Sequence, residues 1–222
     1  MQKFATAAAV SAVLDVPAGR VRLIAADRAD ITVEVLPANA AKSRDVQAAE
    51  QTTVDFADGV LRVQAPEAKN QILGGSGYVE VTVQLPVGSH VEAKSADAEL
   101  RGVGRLGQVV FTAAQGTVKL DEAATVRLAV QAGDVSVGRL GGDAEIRTLK
   151  GDLRVTEAVR GAVVLRTEAG DVSVGAARGV SASLDAGTAY GRIHNALKNT
   201  DGAPGLAIHA TTAYGDITAR SL

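Results

Sequence analysis

A single phrase returns along the second half of the chain and limits what it can fold into. Gln115-Gly116-Thr117-Val118, Ala132-Gly133-Asp134-Val135, Lys150-Gly151-Asp152-Leu153, Ala169-Gly170-Asp171-Val172, Tyr190-Gly191-Arg192-Ile193 and Tyr214-Gly215-Asp216-Ile217 share one pattern. Each has a glycine, usually an aspartate, and then an aliphatic residue that opens a short apolar alternation. The glycines are separated by 17, 18, 19, 21 and 24 residues. A self-similar period of this size marks a repeat architecture, in which each unit buries its apolar face only against its neighbours.

Each unit contains two short strands and two different turns. Val126 to Val130, Ala144 to Thr148 and Val163 to Thr167 read as first strands and lead into the Gly-Asp turn. Glycine tolerates the positive φ of a tight turn, and an aspartate can bond nearby backbone N–H groups. Second strands such as Val135-Ser136-Val137 end in turns of another kind, Gly138 to Gly141, Glu157 to Gly161 and Ala176 to Gly179. Two strands of about five residues and two turns of about four make roughly 18 residues, the observed step. The expected fold is all-β, a parallel β-solenoid or β-helix-like stack with equivalent turns about 4.8 Å apart. The alternative is an antiparallel sandwich or meander in which the Gly-Asp turns are hairpins. Unequal turns and the reuse of one unit favour the solenoid.

The first half is less regular. Tyr78 to Leu85 alternates cleanly, with Val79, Val81, Val83 and Leu85 on one side. Ile31 to Val35 and Val60 to Val63 are further strands, and Ala38 to Glu50 is either a helix or a loop. Loops are expected over 66–77 and 195–205. The whole chain of 222 residues is read as one domain, with irregular coils over 1–109 and regular Gly-Asp repeats over 110–222. Aromatic residues are 3% of the chain and Trp is absent, so Val, Leu, Ile and Ala must fill the core. Such side chains suit a narrow interior repeated many times.

With 23 basic and 25 acidic residues, dispersed and summing to −2, the chain lacks the basic stripe of a nucleic-acid binder. It has no cysteine, which excludes a disulfide framework, thiolate metal sites and a cysteine nucleophile. No run of about 18 apolar residues offers a transmembrane helix. Phe4 to Leu14 is read as a first strand, which makes the cytoplasm the expected location. The cell surface or exterior is the alternative if residues 1–14 act as a signal.

No nucleotide-binding, zinc-protease or serine-hydrolase signature is present. Gly102, Gly104 and Gly107 spell Gly-x-Gly-x-x-Gly, but no helix follows to offer its N–H groups to a phosphate. Asp134, Asp152, Asp171 and Asp216 are the candidate metal ligands, since stacked turns would align their carboxylates and hard cations take clustered oxygens. The plainer expectation, that these are turn aspartates facing water, is preferred. Tyr190, Tyr214, Asp185 and His209 are candidate ligand-binding residues, because matching phrases pair the tyrosines and set Asp185 against His209. The alternative for the tyrosines is that they cover the end of the stack. His90, His194 and His209 show no metal spacing.

Val13 to Gly19, Gly59 to Val63, Val81 to Pro86, the Gly-Asp units, and Ala182 to Gly187 with Tyr190-Gly191 resemble the bacterial DUF4097 family of β-strand-repeat proteins, actinobacterial members in particular. That resemblance covers nearly the whole chain and implies a repeat fold, candidate adhesins as relatives and no catalytic residues. The resulting expectation is a non-enzymatic scaffold or interaction protein without cofactors, acting on an unknown protein partner or on itself as a homo-oligomer. A carbohydrate-binding or carbohydrate-active β-helix is the alternative.

Overall fold

The structure, a computed structural model, describes residues 1–66, 77–199 and 204–222. It divides into two compact units, Met1–Gly116 and Thr117–Leu222, a few residues from where the sequence turns regular. The first unit contains β1 (Gln2–Ala5), β2 (Ser11–Asp15), β3 (Ala18–Ala26), β4 (Asp30–Pro37), the helix α1 (Ser43–Gln51), β5 (Thr53–Ala57), β6 (Val60–Gln64), β7 (Val79–Pro86) and β8 (His90–Gln115). On one face β2 lies between β6 and the start of β8, all parallel, with Leu14 level with Val63 and Ala93. On the other, β3 lies between β7 and a later part of β8, with Val21 level with Val81 and Leu100. Val79, Val81, Val83 and Leu85 are all buried, as their alternation requires.

Antiparallel strands extend both faces of this unit. β5 pairs with β6, β4 with β7 and β1 with β4. The stretch expected to be one N-terminal strand is therefore two, and the second, β2, is an interior strand. The ambiguous segment is helical over Ser43–Gln51. The loop expected at 66–77 lies, apart from its two end residues, outside the described residues.

The second unit contains β9 (Val118–Ala132), β10 (Val135–Leu140), β11 (Ala144–Lys150), β12 (Leu153–Ala158), β13 (Gly161–Arg166), β14 (Val172–Ala176), β15 (Ala182–Tyr190), β16 (Ile193–Ala196), β17 (Leu206–Tyr214) and β18 (Ile217–Ser221). Among the described residues, all its strand pairs are parallel. One face runs β9, β10, β12, β14, β18, β16. The other runs β9, β11, β13, β17, β15. This is the solenoid-like stack, and the Gly-Asp turns are corners that carry the chain from one face to the other. Among the described residues, antiparallel pairs are confined to the outer strands of the first unit and do not involve these Gly-Asp turns.

Stack order departs from chain order at one place. The C-terminal coil, β17 with β18, lies between the β13–β14 coil and the β15–β16 coil. The outermost coil is thus β15–β16, and the last segment of chain is interior. Burial follows: Leu206, Ile208, Ala210, Ile217 and Ala219 are buried, whereas the four residues of β16 are all exposed. The link between these coils falls in the expected 195–205 loop, of which residues 200–203 lie outside the described residues.

Candidate functional site

The corner of the second unit brings together the four candidate aspartates and the two candidate tyrosines, and its glycines explain its shape. A Cβ on Gly170 would lie 2.1 Å from the Gly151 carbonyl oxygen, and the residue holds φ at +151°. Gly215 repeats this against Gly170 at 2.1 Å. The corner backbones are in direct contact, and any side chain at the glycine position would separate the coils.

Close stacking at the corner leaves one backbone N–H per coil without a carbonyl to meet, and the aspartates supply the acceptor. The N–H of Asp152 donates to Asp134 Oδ1 at 2.9 Å, that of Asp171 to Asp152 Oδ1 at 2.8 Å and that of Asp216 to Asp171 Oδ1 at 2.7 Å. The series ends where the N–H of Arg192 donates to Asp216 Oδ1 at 2.8 Å. Arg192 occupies the aspartate position of the outermost coil, where, among the described residues, no further coil presents an N–H. The aspartate is present in the four coils of this ladder that carry another on top and absent from the outermost one, while the first corner, at Gly116, has Thr117 in its place.

The four candidate metal ligands therefore do stack. All four are exposed, as turn aspartates facing water would be, and each carboxylate also accepts an N–H from the adjacent coil. Among the described residues, no group of three or more His, Cys, Asp or Glu side chains is arranged to hold a metal ion.

A second ladder lies inside the same corner. Thr167 Oγ1 donates to the Gly151 carbonyl at 3.1 Å, Thr212 Oγ1 to that of Gly170 at 3.0 Å and Thr188 Oγ1 to that of Gly215 at 3.0 Å. Thr167 and Thr212 are buried. Each threonine stands three residues before its own corner glycine, as does Thr148 before Gly151. That regular spacing was the available signal, and it is masked by the strand alternation around it.

Tyr190 and Tyr214 stack with ring centroids 5.0 Å apart and planes 4° apart. They flank the aspartate column across the glycines, on the two outer coils, and are 68% and 60% exposed. Asp185 and His209 are level on β15 and β17, with Oδ2 and Nδ1 3.2 Å apart. This second pair lies along the strands, away from the corner. His194 is on β16, on the other face, and His90 accepts a hydrogen bond from the Gln108 N–H in the first unit. The Gly102, Gly104 and Gly107 series lies within β8, where no helix N-terminus exists.

Outer surfaces carry charge ladders of the same kind. Arg20 on β3 sits between Glu99 and Glu80 at 3.0 and 2.9 Å, and these carboxylates raise its pKa. Asp30 on β4 accepts from Arg28 at 2.6 Å and pairs with Lys3 of β1 at 2.8 Å. Those two cations, Arg28 first, hold its carboxyl down to about 2.

An all-β stack whose recurring polar residues bond coil to coil defines a β-solenoid-like repeat protein. The chain belongs to the Toastrack DUF4097 family, whose model matches residues 12–221. Solved structures with similar chain paths include a candidate adhesin from Bacteroides fragilis, at 12% identity and TM-score 0.49, covering 98% of this chain and 95% of that one. A candidate adhesin from Parabacteroides distasonis has 12% identity and TM-score 0.45 over 98% and 95%. A candidate lipid-binding protein from Parabacteroides distasonis has 11% identity and TM-score 0.44 over the same shares. No curated protein matches the chain.

Proposed function

We propose that the protein is a non-enzymatic scaffold that works by presenting rigid β surfaces to another protein chain. The observation that carries this is the use of the corner carboxylates. Their Oδ1 atoms accept backbone N–H groups of adjacent coils, so the residues best suited to chemistry are committed to cohesion. What the fold then offers a partner is regular outer faces of paired charges and an exposed outermost coil, β15 with β16. The adhesin-like descriptions of the Bacteroides and Parabacteroides proteins agree with an interaction role.

The carbohydrate alternative keeps one specific observation, the outward ring face of Tyr190, since a sugar can stack on an exposed aromatic. Two experiments decide between them. Chemical crosslinking in intact cells should trap the chain in a discrete complex with protein. Calorimetric titration with a panel of oligosaccharides should give no saturable heat. Saturable binding lost in Tyr190→Ala, with no crosslinked protein complex, would transfer the function to the carbohydrate reading.

A further inference from the structure

We infer that the outermost coil, β15 with β16, is a self-pairing edge that joins two copies of this chain head to head through antiparallel strands. The inference rests on the scaffold function proposed above and names its partner. Among the described residues, β15 pairs only with β17 and β16 only with β18, so apart from the Ala182 N–H, which donates to the Lys198 carbonyl at the start of β15, the outer side of each is an unpaired edge. An unpaired edge presents a row of N–H and C=O groups to any strand that can approach. Natural edges are commonly blocked by lysine, proline or inward-facing charge. β15 and β16 contain no lysine or proline, the nearest lysine being Lys198 beside the start of β15, and their one carboxylate, Asp185, already faces His209. The end of the core is open as well: Ile193 is 47% exposed, while Ile217, level with it one coil inward, is fully buried.

Three observations select the occupant. The first is that the edge is double, one strand on each face joined at a corner. A single extended peptide could pair with only one of them, whereas a second copy of this end presents two edges at the same separation. The second is Arg192. A further coil added in parallel would bring a corner N–H to the position where the four coils directly beneath supply an aspartate oxygen, and here it would find an arginine. Parallel, head-to-tail growth is therefore disfavoured. The third is that antiparallel addition needs no corner carboxylate, because its ladder is made by backbone alone. The chain extends its own sheets in this way in the first unit, where β4 joins β7 and β5 joins β6. A two-fold axis that continues both faces sets the strands antiparallel, and such an isologous contact closes at two copies.

Light scattering on the full chain across a concentration series tests this, together with Ile193→Lys, which places a charge on the open end of the core beside the edge. A monomer–dimer equilibrium is expected, weakened at least about tenfold in Ile193→Lys. Because the chain has no cysteine, single-cysteine variants at Ser183, Gly187, Ala189 and His194 provide a second readout that does not depend on the lysine variant folding. At least one should oxidise to a disulfide-linked dimer, and a control cysteine at Glu34 on β4 should not. A monomer at all concentrations overturns the inference, as does a dimer that survives Ile193→Lys and crosslinks at none of the four positions. Growth into open fibres also overturns it, since that contact would be head to tail. A monomer that still crosslinks to a different protein in cells would sink this inference and leave the scaffold function standing.

Discussion

At the scale of single residues, the aspartates of the corner act as substitutes for a missing carbonyl. Hydrogen bonds to a charged acceptor contribute about 1.5–3 kcal/mol when shielded and less when exposed. Asp171→Ala should therefore lower unfolding free energy by about 1–2 kcal/mol in urea melts, and Asp171→Asn, which keeps an acceptor oxygen, by less. Arg192→Asp should change it by less than about 0.5 kcal/mol, because no N–H lies beyond it. Equal losses at both positions would remove the ladder as the explanation. Thr212→Val, nearly isosteric, should cost about 1 kcal/mol through the lost bond to Gly170. Asp30 sets a pH dependence. Its folded pKa of about 2 lies below the ordinary 3.8, so its contribution is fully present above the ordinary value and is lost as pH falls through about 2. Asp30→Asn should flatten the acid limb of the stability profile in that window and leave neutral pH behaviour otherwise similar in slope. The Gly-Asp phrase was legible in the sequence, but the bonding role of its aspartate was not, because the acceptor and its donor belong to different coils.

At the scale of the element, the coil is a strand, a corner and a strand, and the corner sets how closely coils approach. Gly170→Ala should destabilise by about 3 kcal/mol, since Cβ would meet the Gly151 oxygen at 2.1 Å and the backbone conformation disfavours any side chain. A calorimetric melt checks this, and a cost below about 1 kcal/mol would mean that the corner relaxes freely. Periods of two in the strands and of about 18 between glycines are local properties, which is why strand positions such as β7 and β11 could be read from the chain. The antiparallel additions in the first unit were not readable. β4 and β7 carry the same kind of alternation whichever direction their neighbours run.

At the scale of the whole molecule, the parallel repeat was legible and the order of its last coils was not. Nothing in the widening steps of 21 and 24 residues says that the final coil turns back beneath the one before it. Two features report it afterwards. The outermost coil has Arg192 in place of aspartate, and the apolar residues of the C-terminal coil are buried more deeply than those of the coil that precedes it in sequence. Both the scaffold function and the self-pairing edge depend on which coil is outermost. Paired cysteines in the otherwise cysteine-free chain test that order most directly. Val164 is level with His209 in the neighbouring strand, while Asp185 lies one strand further on. Neighbouring strands lie about 4.8 Å apart and disulfides need Cα atoms within about 7 Å. Val164→Cys with His209→Cys should oxidise readily to an intramolecular disulfide, and Val164→Cys with Asp185→Cys should remain reduced. The reverse result would contradict the inserted C-terminal coil and place β15 beside β13, with the C-terminal coil outermost.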